Sequence, residues 1–343
     1  MTRYLLLTQD FPPGFDGGIA SWTLDLALAL QGDGRDVAVL ARRTGDTTGA
    51  DARLPFPVHR MRGRSWLRWQ GAWAGVNVGP RLDRETIVVA TSWRLLPQVL
   101  PLARLRGARV VCSFHGSDLT RAEADEAALK QVLKQCDGLL AVSQFLAVLL
   151  RERGAPPERV AVLPMPLAIP AEPAWSEPRA GLLLVARLTP LKGVDRAVRL
   201  AVAAGLPLTV IGEGPAANQA VGPGVRALGR LPRDQVLAEL DRAAAVVLLP
   251  RTDSDGSGAE GLGLCFLEGA ARGVPGIGCH TGGVPEAVGP GLLLADPDDP
   301  TASEIAAVRA LVADVEARRR ARAWVEVEHG PARCLAVLDR LVR

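Results

Sequence analysis

The chain has 343 residues, 48% of them hydrophobic and 22% charged, which suits about two domains with sizeable cores. A net charge of +3 argues against a dedicated nucleic-acid binder, which carries a strong basic excess. Five cysteines with no Cys-x-x-Cys pair argue against a disulfide framework or a zinc site, and no uncharged apolar run approaches the ~18 residues of a membrane span. The apolar run Leu5–Leu7 is too short for a signal-peptide core, so a soluble, cytoplasmic protein is expected.

Tyr4–Thr8 predicts a first buried strand, followed by a loop ending at Gly18 and a helix over Ile19–Leu30. Further strands are predicted at Asp36–Ala41, Thr86–Ala90, Arg109–Phe114, Gly138–Val142 and Val160–Leu163. Within the stretch from His59 to Trp73, Trp66, Trp69 and Trp73 recur at i, i+3 and i+7 among arginines, which is one helix face. Five prolines between Pro164 and Pro178 favour extended chain and predict an interdomain linker. Strands then follow at Gly181–Ala186, Pro207–Ile211, Val225–Leu228, Val246–Leu249, Pro275–Gly278 and Gly291–Ala295. Helices are predicted at Gly193–Ala204, Arg233–Ala244 and Leu262–Arg272, a mostly helical stretch over Thr301–Glu328, and a last amphipathic helix over Pro331–Arg343. Strands alternating with helices on each side of the linker predict an α/β protein of two doubly wound parallel sheets.

Ligands of such sheets bind beyond the carboxyl ends of the strands, so residues just after strands are the site candidates. Glu260 and Glu268 flank Gly261, Leu262 and Gly263 at a helix start. Eight helical residues would part the two carboxylates by about 12 Å, too far to share a proton or a metal, but suited to two ends of an extended ligand. A structural arginine or backbone partner is the competing reading for Glu268. Arg187 and Lys192 flank a predicted helix N-terminus, where cations are unfavourable unless an anion lies between them. Gly17-Gly18 lets the backbone approach a ligand closely, or forms a simple turn. His115-Gly116 and Gly212-Glu213-Gly214 each follow a predicted strand directly, and Gly282-Gly283-Val-Pro-Glu286 reads as a turn opening a helix.

In order and spacing, Arg187…Lys192-Gly193, Gly212-Glu213-Gly214-Pro215, Glu260-x₇-Glu268 and Gly282-Gly283-Val284-Pro285-Glu286 resemble the retaining glycosyltransferases of the GT-B fold, group 1, family four. Phe11-Pro12-Pro13…Gly17-Gly18-Ile19 and His115-Gly116 match as well, and Pro250-Arg251…Glu260-Gly-Leu-Gly is most similar to phosphatidylinositol mannosyltransferases and their relatives. The resemblance implies two Rossmann-like domains facing across a cleft. Residues 1–168, rejoined by the helix 331–343, would bind the acceptor, and residues 169–330 a nucleotide-diphosphate sugar, GDP-mannose or a UDP-sugar. Arg187 and Lys192 would hold the diphosphate, with Gly17 and Gly18 meeting it or the sugar from the other side. Glu268 would accept the ribose hydroxyls, while Glu260, Gly261, Leu262 and Gly263 hold the sugar. His115 would sit at the reacting face, and Gly212, Glu213 and Leu231 would border the base. No metal and no tightly bound cofactor are implied.

Asp16, Trp66 and Trp69 are the acceptor candidates, for a lipid or a small-molecule glycoside. For the tryptophan stretch, a helix packed on its own sheet, a membrane-surface contact and an aromatic platform for a soluble acceptor stay open, and a lipid acceptor would add peripheral contact with the inner membrane surface. A GT-B epimerase or an inactive sugar-nucleotide-binding module are the alternatives to transfer. Gly276, where the family more often carries a branched apolar residue, is expected to weaken its strand.

Overall fold

The computed structural model describes residues 2–14, 17–61, 82–120, 125–173, 175–252 and 258–342. The chain divides into two compact units, Met1–Ala168 with Pro331–Arg343, and Ile169–Gly330. Each is a parallel sheet flanked by helices.

In the first unit the strands are β1 (Arg3–Thr8), β2 (Asp36–Arg42), β3 (Val58–Met61), β4 (Thr86–Ala90), β5 (Arg109–Phe114), β6 (Gly138–Ala141) and β7 (Val160–Val162). Their order is β3-β2-β1-β4-β5-β6-β7. Leu5 lies opposite Ala38 on β2 and Val88 on β4 in parallel register. Leu5, Leu6 and Leu7 are all fully buried, because helices cover both faces and leave no polar alternation in the strand.

Of the basic, tryptophan-bearing stretch His59–Trp73 only the start is described. His59 and Arg60 lie in β3, paired with Leu40 and Ala41 of β2, and residues 62–81, Trp66, Trp69 and Trp73 included, lie outside the described residues. A helix over Leu96–Arg106 escapes a sequence reading because it holds Pro97 and Pro101. Pro97 falls in the first turn, where its missing N–H costs no helical bond, and Gly107 at φ 73° closes the helix. Helix Pro331–Val342 belongs to this unit. Asp339 takes both Arg35 nitrogens at 2.5 and 2.9 Å, and Leu341 leaves no room for a Cβ at Gly138.

The second unit has β8 (Leu182–Val185), β9 (Leu208–Ile211), β10 (Val225–Ala227), β11 (Ala245–Val247), β12 (Gly276–Cys279) and β13 (Leu292–Leu294), in the order β10-β9-β8-β11-β12-β13. Leu184, Val210, Val247 and Ile277 pack with Val194, Ala197 and Ala201 of helix Val194–Ala204 in one apolar core. The mostly helical stretch over Thr301–Glu328 is two helices, divided at Asp314, whose backbone leaves helical geometry and whose carboxylate caps the second by accepting from Glu316 N–H at 2.7 Å. Gly276 opens β12, which pairs in parallel register with both β11 and β13. A Cβ there would meet the Phe266 ring at 2.8 Å, so glycine makes room for that ring under β12.

Candidate functional site

The strand order in the second unit reverses between β8 and β11, and a doubly wound sheet opens a crevice at such a point. The loops that leave these two strands carry Arg187–Gly193 and Glu260–Gly263. Lys192 on the first loop is ion-paired with Glu260 on the second. The pair is largely shielded, with Lys192 24% and Glu260 14% exposed at the side chain.

Backbone contacts set the shape of these loops. Gly193, at φ 65°, precedes helix Val194–Ala204, and a Cβ on it would stand 1.9 Å from the Leu249 carbonyl oxygen, two residues beyond β11. Gly212, at φ 138°, approaches the Ala186 carbonyl just as closely, and Leu188 N–H donates to Glu213 O at 2.8 Å. The turns after β8 and β9 are thereby stitched together. Gly282 and Gly283, after β12, lie against the backbone of Glu260 and Gly261, and Gly283 N–H donates to Glu260 O at 2.9 Å. The turn reading of Gly282-Gly283 was incomplete: these glycines also brace the acidic loop.

One expectation is corrected here, and one open alternative gains a partner. Helix Leu264–Ala270 starts after Gly263, in the left-handed conformation at φ 95°, so Glu260 is not helical and the 12 Å helical rise does not apply. Glu268 is 8% exposed and accepts from Arg233 Nη1 at 2.6 Å. The structural-arginine reading of Glu268 therefore describes what the side chain touches. Arg233 was missed because it opens its own helix, far from every glycine motif, and the run Leu231-Pro232-Arg233 carries no local signal.

Burial pushes the Glu268 carboxyl up, and Arg233 opposes that shift. Cys265, between the two acids in sequence, is pushed up to about 12 by burial, with Glu260 and Glu268 adding to the effect. Arg187 is exposed and makes no ion pair among the described residues, so Arg187 and Lys192 do not share a partner. Glu213 is exposed and Leu231 half-buried, while Gly261, Leu262 and Gly263 are buried.

A cavity of about 260 Å³ lies beside this cluster, lined by Arg196, Arg251, Thr252, Cys279 and His280 among others. None of the predicted site residues lines it. Its arginines are already matched: Arg251 grips Asp195 through two 2.7 Å bonds and Arg196 pairs with Asp298.

In the first unit the strand order reverses between β1 and β4. Gly17 caps helix Gly18–Gly32 in extended backbone at φ −143°, and among the described residues a Cβ there would meet nothing within 4 Å. Asp16 lies outside the described residues. His115 follows β5, with its ring edge-on to Trp22 at 4.9 Å between centroids and Nε2 2.9 Å from Ser113 Oγ. The Ser113 hydroxyl donates to Ala90 O at 3.2 Å, so Nε2 carries the imidazole proton and Nδ1 is left as an acceptor. Burial lowers the His115 pKa to about 3, which keeps the ring neutral. Asp118 Oδ1 accepts from the N–H groups of His115 and Gly116 at 3.1 and 2.9 Å and fixes the turn that presents the ring.

Among the described residues no three His, Cys, Asp or Glu side chains gather as a metal site, and no helix is long and apolar enough to cross a membrane.

Comparison with known proteins is consistent across both units. Residues 16–167 match the profile of Glycosyltransferase Family 4, and residues 179–314 that of Glycosyl transferases group 1. The chain is 28% identical over 320 residues to the GDP-mannose-dependent alpha-(1-6)-phosphatidylinositol monomannoside mannosyltransferase of Mycobacterium tuberculosis, covering 84% of this chain and 83% of that one. It is 29% identical over 375 residues to the glycogen synthase of the same organism, covering 94% and 89%. In fold it resembles Anabaena Alr3699/HepE, solved with UDP and glucose, with a TM-score of 0.73 over 99% of both chains at 14% identity. With two Rossmann-like units and both halves of its sequence matched, the chain belongs to the group 1 glycosyltransferases of the GT-B fold.

Proposed function

We propose that this chain moves a hexosyl unit from a nucleotide-diphosphate sugar to a hydroxyl of a lipid or small-molecule glycoside, with retention of configuration and without a metal. The observation that carries this reading is the Lys192–Glu260 pair, built from the loops of the two strands between which the sheet order reverses. A nucleotide-sugar diphosphate is anionic at one end of its linkage and rich in hydroxyls at the other. Glu260 takes the place a phosphate would have beside Lys192, and Lys192 the place of sugar hydroxyls beside Glu260. On donor binding the ammonium turns to the diphosphate and the carboxylate to the sugar. Arg187, exposed at the same loop, adds a second cation that forks onto phosphate.

Transfer then breaks the bond between the anomeric carbon and the β-phosphate oxygen and forms one to the acceptor oxygen, whose proton ends on the departing phosphate. Arg187 and Lys192 stabilise the negative charge that grows on the leaving group, and positioning supplies much of the rest. Neutral His115 offers Nδ1 as an acceptor, not a positive charge, near the sugar. In the first unit Gly17 and Gly18 are candidates for donor contact; among the described residues neither backbone strain nor packing requires glycine at position 17, which suits a place kept clear for a ligand. GDP-mannose is favoured as the first donor to test because a mannosyltransferase relative that matches over most of its length is GDP-mannose-dependent. A UDP-sugar is the second, since Alr3699/HepE binds UDP.

The test incubates the chain with GDP-mannose, UDP-glucose or UDP-N-acetylglucosamine, in the presence of EDTA, with phosphatidylinositol vesicles in one arm and soluble glycosides in the other. Release of nucleoside diphosphate together with an α-linked product supports transfer. Conversion of the nucleotide sugar into an isomer without any acceptor would establish an epimerase instead.

A further inference from the structure

Arg233 opens helix Arg233–Arg242, at the positive end of its dipole, where a cation is disfavoured. It is held there by one strong contact, the 2.6 Å bond from Nη1 to Glu268 Oε1. Glu268 sits in helix Leu264–Ala270 with buried neighbours on both sides, and a buried carboxylate without a cation gives up its charge.

The other charges around it do not replace Arg233. Arg272, beyond the end of the same helix, attracts Glu268 more weakly and is itself bound to Asp241 at 2.8 Å. Helix Val315–His329 packs on this helix, but Arg318 donates to the carbonyls of Trp175 and Glu177, and Arg322 to those of Ala271 and Pro170. Helix Arg233–Arg242 otherwise brings acids (Asp234, Glu239 and Asp241) and Arg242, which pairs with Glu239. Helix Val284–Val288 brings Glu286, and β11 and β12 bring no charged side chain. The Cys265 thiol stays neutral.

We propose that Arg233 is a positioning residue that keeps Glu268 ionised and aimed, so that the carboxylate accepts the two ribose hydroxyls of the donor. This rests on the nucleotide-sugar reading of the site. An ionised carboxylate accepts hydroxyl protons at both oxygens, whereas a neutral carboxyl spends one oxygen as a donor. Arg233 therefore acts through Glu268 and needs no contact of its own with the nucleotide.

The experiment compares wild type, Arg233→Met, Arg233→Lys, Glu268→Gln and the double variant R233M/E268Q, with CD and melting curves to confirm folding. The first readout uses no ligand. A carboxyl with a raised folded pKa stabilises the fold at low pH and loses that contribution as pH rises. The melting temperature of R233M should therefore fall below that of R233M/E268Q progressively from pH 5 to 8, with a much smaller trend between wild type and E268Q. The second readout is the affinity for GDP and UDP by titration calorimetry. Wild type should bind one of them with little pH dependence between 6 and 8.5. R233M should weaken by about tenfold per pH unit below its apparent pKa and recover toward pH 9. R233K should restore most of the loss, and the double variant should be weak and flat. Equal pH trends for R233M and R233M/E268Q in both readouts would overturn the role given to Arg233. A normal melting series with no nucleotide binding by wild type would instead overturn the nucleotide-sugar reading and leave the ion-pair result standing.

Discussion

Two residues of the proposed site, His115 and Lys192, are prepared very differently. His115 is neutral, with its proton on Nε2 facing Ser113. Its pKa near 3 predicts no histidine limb in the pH–rate profile between pH 5 and 9, and H115A should lower kcat by at least about tenfold. An acid limb near pH 6.5 that vanishes in H115A would contradict this. Its neighbour Asp118 is raised to about 6 by burial, against the pull of the backbone N–H groups it accepts. Because the folded value exceeds the unfolded one, Asp118 favours the fold fully below about pH 4 and loses that contribution as pH rises through 6. The melting temperature of D118N should thus fall less than wild type between pH 4 and 7. Lys192 and Glu260 touch, so their effects should not add. K192A, E260Q and K192A/E260Q form a cycle in which the double variant loses clearly less turnover than the product of the two single losses. Full additivity would mean that the pair plays no common part.

At the scale of elements, loops are held where chain direction alone would leave them free. Arg60, on β3 and only 7% exposed at its side chain, spends all five N–H groups. Nε and Nη2 bind Asp51 at 3.0 and 2.7 Å, Nη1 reaches the carbonyls of Phe11 and Arg42, and Nη2 that of Pro12. The guanidinium also lies over the Phe11 ring at 5.3 Å. Lysine offers one nitrogen centre in place of this fork, so R60K should cost about 1–3 kcal/mol and loosen the loop toward Gly17, read as a lower melting temperature and a higher donor KM. Glycines give a sharper contrast. Gly193→Ala sets a left-handed backbone and a carbonyl 1.9 Å away against the new methyl, and should destabilise by more than about 2 kcal/mol. Gly17→Ala meets no described atom within 4 Å in an ordinary conformation, so its melting temperature should match wild type while donor turnover drops. A G17A enzyme with unchanged kinetics would remove Gly17 from the site.

Across the whole molecule, the apolar runs at Leu5–Leu7 and Leu182–Leu184 and the glycine breaks after them made both sheets legible, because a parallel strand buried on two faces has nowhere to hide a polar residue. The loops Arg187–Gly193 and Glu260–Gly263 were legible for the same reason: each follows a strand at its carboxyl end. What escaped were contacts distant in sequence. Arg233 meets Glu268 across 35 residues, and Arg60 meets Pro12 across 48, with no pattern linking either pair. β3 carries little sequence signal because its four residues hold only two apolar side chains. The prolines of Leu96–Arg106 masked a helix that tolerates them.

The central claim is that a nucleotide diphosphate docks where the β8 and β11 loops meet. Titration calorimetry of the intact chain with GDP, UDP and their sugars tests it most directly, run beside the folded R187A/K192A variant. Saturable binding of at least one nucleotide by wild type, weakened by at least about a hundredfold in the double variant at unchanged melting temperature, is the expected result. Equal affinity in the two proteins would contradict it.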